Sequence, residues 1–126
     1  MDCQFEEVDE AISMAVMYTA NHLNIKAIIC LTESGSTPLW MSRIRSGIPI
    51  YALSRHLQTQ RKMTLFRGVY PVAFDVTQVA REEVNHRAID VLKQCDVLES
   101  GDLVILTKGD YLGIHGGTNT MKIIKV

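Results

Sequence analysis

The sequence lacks the features that mark membrane proteins, nucleic-acid-binding proteins and secreted proteins. No apolar run approaches the roughly 20 residues that a membrane-spanning helix needs. The 13 basic residues nearly balance the 14 acidic ones, so the chain has no strongly basic character to attract nucleic acid or anionic lipid. Asp2, Glu6 and Glu7 stand where a secretory signal would be basic and then apolar. We therefore expect a cytoplasmic domain with no nucleic acid and no membrane as partner.

Cysteine is scarce, and the motifs of common enzymes are missing. The three cysteines have no metal-binding spacing, and Cys30 lies in an apolar segment where a thiol behaves as a small hydrophobe. The sequence has no glycine–lysine phosphate loop, no dinucleotide-binding glycine pattern and no serine nucleophile turn. Acidic pairs such as Glu82-Glu83 are adjacent, so in a helix they point apart. We therefore assign no catalytic residue and no metal ligand.

Helical and strand patterns alternate along the chain. The length of 126 residues suits one domain over residues 1–126, with 1–7 as a flexible N-terminal extension. Apolar spacing and turn residues predict helices over about 8–23, 38–46, 56–67 and 77–95, and strands over about 25–31, 48–53, 69–74, 103–106 and 121–126.

This alternation predicts a three-layer α/β/α sandwich. Only a loop joins the last two strands, so the fifth strand should run antiparallel to its neighbour. Pro71 cannot donate a ladder hydrogen bond, which indicates that the third strand is an edge strand. Asp75 and Gln78 resemble a capping box that would start the last helix.

The segment after the first strand combines hydroxyl groups with a glycine at the start of a helix. It reads Thr32-Glu33-Ser34-Gly35-Ser36-Thr37-Pro38. We expect Thr37 to cap the helix and Pro38 to be its first residue. Hydroxyl donors and free backbone N–H groups at such a position suit a phosphate. The alternative is a capped turn that binds nothing, because Ser and Thr are also good helix caps.

Five ordered stretches of the chain together match one known family. They are Thr32-Glu33-Ser34-Gly35-Ser36-Thr37 with the helix Met41-Ser42-Arg43-Ile44-Arg45, Ile48-Pro49-Ile50-Tyr51-Ala52-Leu53, Leu65-Phe66-Arg67-Gly68-Val69-Tyr70-Pro71-Val72, Gly101-Asp102-Leu103-Val104, and Gly117-Thr118-Asn119-Thr120-Met121-Lys122-Ile123. In this order they resemble the C-terminal domain of pyruvate kinase, from about Val8 to Val126. The resemblance implies a five-stranded mixed sheet of order 3-2-1-4-5 with the last strand reversed.

In a sheet of this order, ligands bind beyond the carboxyl ends of the strands, near the point where the strand order reverses. The segment 32–37 and the loop from Lys108 to Asn119, which holds four glycines, should therefore face one pocket. Lys108 would supply a cation and His115 a hydrogen bond, while Gly116 and Gly117 would let the loop close. The alternatives are a solvated histidine and a plain turn at the two glycines.

The resemblance also implies a regulatory role. In pyruvate kinases, the phosphoryl-transfer site with its magnesium and potassium belongs to the barrel domain, and nothing in this sequence resembles it. The C-terminal domain binds an allosteric phosphorylated effector and pairs with its counterpart on another subunit. Carried over, the phosphate-binding residues would be Thr32, Glu33, Ser34, Gly35, Ser36 and Thr37, with His115, Gly116, Gly117 and Thr118 covering the effector.

Two acids depart from the pattern of members that respond to fructose 1,6-bisphosphate. Glu33 stands where those members often have a basic or neutral residue, and Glu83 stands at about the place of an arginine. Two acids should repel a second phosphate. We therefore expect a phosphorylated sugar or a nucleoside monophosphate as the effector.

The resemblance favours the regulatory C-terminal domain of a bacterial-type pyruvate kinase, inactive without its barrel. We expect it to pair as a homo-oligomer, to contact the barrel domain and to hold no cofactor, while the parent enzyme, which transfers phosphate from phosphoenolpyruvate to ADP in glycolysis, would need magnesium and potassium. One alternative is a stand-alone small-molecule-binding α/β protein or a hydrolase with an unrecognised site. Another is an assembly module whose effector loop is vestigial.

Overall fold

Strands and helices alternate through most of the chain. A computed structural model describes residues 8–44, 46–108 and 120–126. In chain order the elements are α1 (Val8–His22), β1 (Ala27–Leu31), α2 (Ser36–Ser42), β2 (Ile50–Ser54), α3 (Leu57–Met63), β3 (Val69–Ala73), α4 (Val84–Gln94), β4 (Leu103–Lys108) and β5 (Thr120–Lys125). Single turns of 3-10 helix at Val76–Gln78 and Arg81–Glu83 lead into α4.

The five strands form one mixed sheet of order β3-β2-β1-β4-β5. The pairs β1–β2, β1–β4 and β2–β3 are parallel, and β4–β5 is antiparallel. Cys30 of β1 lies between Ala52 of β2 and Thr107 of β4, which fixes the register of the central strands. The predicted strand order, the reversed fifth strand and the edge position of Pro71 are confirmed.

Apolar side chains cover both faces of the sheet, as near-continuous apolar strands predict. All five residues of β1 are buried. On one face, strand residues pack against α1, α2 and α3, with Val16, Met17, Ala20, Ile28, Cys30, Met41, Ile50, Met63 and Ile105 at the centre. On the other face they pack against α4, with Ile29, Leu31, Leu53, Val84, Ala88, Leu92, Val104 and Leu106 at the centre.

The start of α2 differs from the prediction. The N-cap residue is Gly35, with φ of +84°, and the first helical residue is Ser36. Thr37 therefore does not cap the helix, and Pro38 is its third residue. This position tolerates proline because the first N–H groups of a helix have no partner within the helix. The first regular helical hydrogen bond joins the N–H of Leu39 to the carbonyl of Gly35.

The last two helices are shorter than predicted. Asp75 accepts a hydrogen bond from the N–H of Thr77, but it caps only a 3-10 turn, because Val79 is extended. Helix α4 begins at Val84, seven residues later than expected. Val76 and Val79 instead pack against the apolar layer beneath α4. Helix α3 ends at Met63, and the chain turns through Gly68 at φ of +71° before β3.

Several predicted features lie outside the described residues. They are the N-terminal extension 1–7 and most of the glycine-rich loop, including His115, Gly116, Gly117 and Thr118. Within the ranges given above, no helix is long and apolar enough to cross a membrane.

Candidate functional site

The segment between β1 and α2 is held by its own hydroxyl groups. The Oγ1 atom of Thr32 accepts a hydrogen bond of 2.9 Å from the N–H of Gly35. The Oγ atom of Ser34 accepts one of 3.3 Å from the N–H of Ser36. Thr32, Ser34 and Ser36 are partly exposed, whereas Thr37 is buried. Two of the predicted site hydroxyls thus shape the turn itself.

These hydroxyl groups retain donor capacity towards an anion. A hydroxyl has one donor proton and two acceptor lone pairs. Because Thr32 and Ser34 use a lone pair to accept a backbone N–H, their own protons can point elsewhere. A phosphate at this turn would meet hydroxyl protons that the hydrogen bonds of the turn do not use.

Gly35 brings the segment close to α3. A Cβ atom at position 35 would lie 3.3 Å from Cγ of Met63, 3.4 Å from Cγ2 of Thr59 and 3.6 Å from Cε of Lys62. The positive φ of Gly35 and this close approach both require a residue without a side chain. The glycine therefore permits both the turn and its packing against α3.

Glu33 points towards the start of α3 and is only 7% exposed. Its carboxylate accepts hydrogen bonds from Nε of Arg55, at 3.1 and 3.3 Å. Nε2 of His56 lies 2.5 Å from the second carboxylate oxygen. The hydroxyl of Thr59 donates a hydrogen bond of 2.8 Å to the main-chain oxygen of Glu33. The contacts that Arg55, His56 and Thr59 make with Glu33 therefore tie the segment 32–37 to the β2–α3 junction.

This arrangement changes the electrostatic role that the sequence suggested for Glu33. Its carboxylate is occupied by Arg55 and His56, so its charge is largely compensated where it lies. The pKa of the nearby Asp75 carboxyl is lowered, first by hydrogen bonds from Thr77 and to a smaller extent by the charges of Arg55 and His56. Glu33 thus offsets the charge of Arg55, whereas Arg61 lines the adjacent pocket as a further cation.

Sequence reasoning missed the partners of the segment 32–37. His56 is the N-cap residue of α3, close to the predicted start of this helix, and it also contacts Glu33. Arg55 and Lys62 carried no site prediction. The available signal was their position, since Arg55 directly follows β2 and Lys62 lies three residues after Thr59 on the same helix. A pocket of about 550 Å³ beside this junction is lined by Arg55, His56, Leu57, Gln58, Thr59 and Arg61.

The strand order brings Thr32 and Lys108 to the same edge of the sheet. Cys30 of β1 pairs with Thr107 of the parallel neighbour β4, so both chains leave the sheet in the same direction. Lys108 itself is the last residue of β4 and lies opposite Thr120 of β5. Within residues 8–44, 46–108 and 120–126, no group of three His, Cys, Asp or Glu side chains could hold a metal ion.

Comparison with known proteins identifies the family. A family model for the pyruvate kinase alpha/beta domain matches residues 10–124. Pyruvate kinase II of Salmonella typhimurium strain LT2 is 49% identical over 127 residues, covering 100% of this chain and 26% of that protein. The pyruvate kinase of Haemophilus influenzae strain Rd is 43% identical over 122 residues, covering 95% of this chain and 24% of that protein.

A more distant relative gives the same result. Pyruvate kinase 2 of Synechocystis sp. strain PCC 6803 is 35% identical over 117 residues, covering 92% of this chain and 20% of that protein. The chain therefore belongs to the family of pyruvate kinase C-terminal alpha/beta domains. It spans about a quarter or less of the length of these bacterial relatives.

Proposed function

We propose that this chain is the allosteric, effector-binding domain of a pyruvate kinase and that it binds a phosphorylated metabolite at residues 32–37. The whole enzyme would transfer phosphate from phosphoenolpyruvate to ADP, with magnesium and potassium held in its barrel domain. The observation that carries the proposal is the turn at Gly35, where Thr32 and Ser34 accept backbone N–H groups and keep their own protons for a ligand.

The position of this turn supports the proposal. It follows β1, which has β2 on one side and β4 on the other, at the carboxyl edge of the sheet where α/β folds bind ligands. Lys108 reaches the same edge from β4. The pocket beside Arg55 and His56 offers room for the organic part of a ligand whose phosphate lies on the turn.

The charge balance favours a monophosphate. A second phosphate in the pocket beside α3 would meet Arg55 and His56, which already contact the Glu33 carboxylate, so Arg61 is the lining cation that Glu33 does not hold. Such a group would lose its hydration beside the Glu33 carboxylate and would gain one lining arginine as counter-charge. We therefore place a phosphorylated sugar or a nucleoside monophosphate ahead of a bisphosphate.

Calorimetric titration with glucose 6-phosphate, ribose 5-phosphate, AMP and fructose 1,6-bisphosphate tests this function. Hydrogen bonds to a charged group contribute roughly 1.5–3 kcal/mol, so Ser34→Ala should weaken phosphate binding by about tenfold or more. Ser46→Ala is the matched control, because the Ser46 hydroxyl accepts the N–H of Ile48 in an equivalent turn outside the site. If no ligand binds below the millimolar range, the proposal fails.

An exposed apolar surface favours the proposed pairing with a second copy of the domain. Met14 and Tyr18 of α1 are 42% and 68% exposed, and Ile123 of the neighbouring strand β5 is 46% exposed. Exposed apolar residues that form one larger patch usually mark an interaction site. Sedimentation should show a homodimer that Met14→Lys dissociates, whereas Leu65→Lys, at an exposed apolar residue after α3, should leave it intact. A monomer at high micromolar concentration would contradict the pairing.

The rival functions predict different results. A hydrolase or other stand-alone enzyme would have an activity of its own, whereas an isolated regulatory domain should have none. In particular, we expect no pyruvate formation from phosphoenolpyruvate and ADP with magnesium and potassium present. An assembly module would pair without binding any phosphorylated ligand. The titration and the activity assay together separate these functions.

A further inference from the structure

Lys62 is the cationic side chain that lies against the tip of the candidate phosphate-binding turn. Its Cε atom is 3.6 Å from the point where Gly35 would carry a Cβ atom. The stem of the side chain therefore crosses the glycine, and the ammonium group is one bond further along. Lys62 is exposed at its end of α3, so its ammonium group is accessible to a ligand.

The contacts of Lys62 distinguish it from the other cation beside the turn. Nε of Arg55 is held by both carboxylate oxygens of Glu33. Among residues 8–44, 46–108 and 120–126, no ion pair or side-chain hydrogen bond occupies the ammonium of Lys62. Lys62 can therefore meet an anion without first breaking a contact with these residues.

Helix α3 is fixed against the turn, which keeps Lys62 in place. The Thr59 hydroxyl donates to the main-chain oxygen of Glu33 at 2.8 Å, one helical turn before Lys62 approaches Gly35. Met63, the next residue, is fully buried in the core. A contact on each side of Lys62 thus anchors the helix, while the ammonium itself stays at the surface.

We propose that Lys62 provides the positive charge for the phosphate bound at residues 32–37 and makes the site selective for dianionic phosphomonoesters. This inference rests on the proposed function and extends it. The hydroxyls of Thr32 and Ser34 donate hydrogen bonds but carry no charge, so a dianion at the turn needs a cation. A lysine ammonium is a compact point charge that suits a phosphate oxygen.

The test compares Lys62→Gln, Lys62→Arg and Arg67→Gln in titrations with glucose 6-phosphate, ribose 5-phosphate and AMP. Lys62→Gln should weaken binding by about tenfold or more, since it removes a charged hydrogen-bond partner. Lys62→Arg keeps the charge and should retain most of the affinity. Arg67→Gln removes the same charge from an exposed residue after α3 that does not line this pocket, and it should have little effect.

Two further measurements separate a charge contact from a structural role. Lys62→Gln should make the affinity less sensitive to salt, because one ionic contact is lost. The difference between wild type and Lys62→Gln should also narrow below about pH 6, where the ligand becomes a monoanion. Equal affinities of the wild type and Lys62→Gln, with binding otherwise intact, would overturn the inference and leave the proposed function standing. Failure of the wild type to bind any phosphorylated ligand would overturn both.

Discussion

Glu33 and Arg55 lie at the ends of two adjacent strands and join their β–α junctions through an ion pair of 3.1 Å. Glu33 is buried, whereas one third of the Arg55 side chain is exposed. The pair therefore fixes the candidate phosphate-binding turn, and its Arg55 also lines the pocket proposed for the organic part of the ligand. Changes at this pair should alter the stability of the domain as well as ligand binding.

We expect Glu33→Lys to destabilise the domain by roughly 2–4 kcal/mol, because it brings a buried cation against Arg55 and His56. Glu33→Gln should cost about 1–2 kcal/mol, since the amide oxygen can still accept a hydrogen bond. Urea unfolding measures both. The control is Asp90→Asn, which removes the exposed contact of 3.5 Å with His86 and should change stability by no more than about 0.5 kcal/mol. A Glu33→Lys variant as stable as the wild type would contradict the structural role of the pair.

The turn at Gly35 gives a second prediction. Gly35→Ala should destabilise the domain by roughly 1–2 kcal/mol, because φ is +84° and the new methyl group would press against Met63. Gly47→Ala is the matched control, since a Cβ there meets no atom within 4 Å and φ is not in the left-handed region. That control should be neutral or slightly stabilising. Similar unfolding midpoints for both variants would show that the turn is not constrained as described.

The 3-10 turn after β3 predicts that the stability of the domain changes with pH in the acidic range. Hydrogen bonds from the side chain and N–H of Thr77 hold the pKa of the Asp75 carboxyl below its ordinary value of 3.8. A lowered pKa in the folded state stabilises the protein above the ordinary value, and this contribution is lost as the pH falls through the folded-state pKa. The stability difference between the wild type and Asp75→Asn should therefore be constant near neutral pH and shrink below about pH 4. Thr77→Val, which removes the hydroxyl donor, should reduce this pH dependence of the stability.

Cysteine reactivity tests the core of the sheet. Burial raises the pKa of the Cys30 thiol to about 12, and the Thr107 hydroxyl lowers it only partly. In a Cys3→Ser variant, a thiol reagent at pH 8 should modify exposed Cys95 in the native protein and reach Cys30 only after unfolding. Because the folded-state pKa is raised, Cys30 also lowers stability as the pH rises from about 9, where the unfolded thiol ionises, to about 12. Rapid native labelling of both thiols would contradict the buried position of β1.

The sequence predicted the sheet because its signals are local. Continuous apolar residues marked the buried strands, and the single proline of β3 marked an edge. The order of the strands came from the family resemblance. The predicted start of α4 was wrong. The segment from Val76 to Glu83 has residues compatible with a helix, but the packing of Val76 and Val79 selects two 3-10 turns with an extended residue between them.

The candidate site was predictable only in part. The hydroxyls and the glycine of the segment 32–37 carried a local signal for a turn, and Thr32 and Ser34 accept the backbone N–H groups that shape it. Phosphate binding at this turn stays a prediction. The contacts of Glu33 with Arg55, and of Gly35 with Lys62, join parts of the chain that are far apart in sequence. These contacts depend on how α3 packs after β2. The spacing of residues within one segment therefore does not predict them.

The central position of β1 has a consequence for how the chain folds. One neighbour, β2, follows closely in sequence, but Ile28 also pairs with Ile105 of β4, more than half the chain later. Parallel pairing across such a distance closes a large loop before it gains any contact energy, so it is slow compared with local helix formation. During synthesis, the edge of β1 that pairs with β4 stays unpaired until β4 has been made, and an unpaired apolar strand is open to association with other chains.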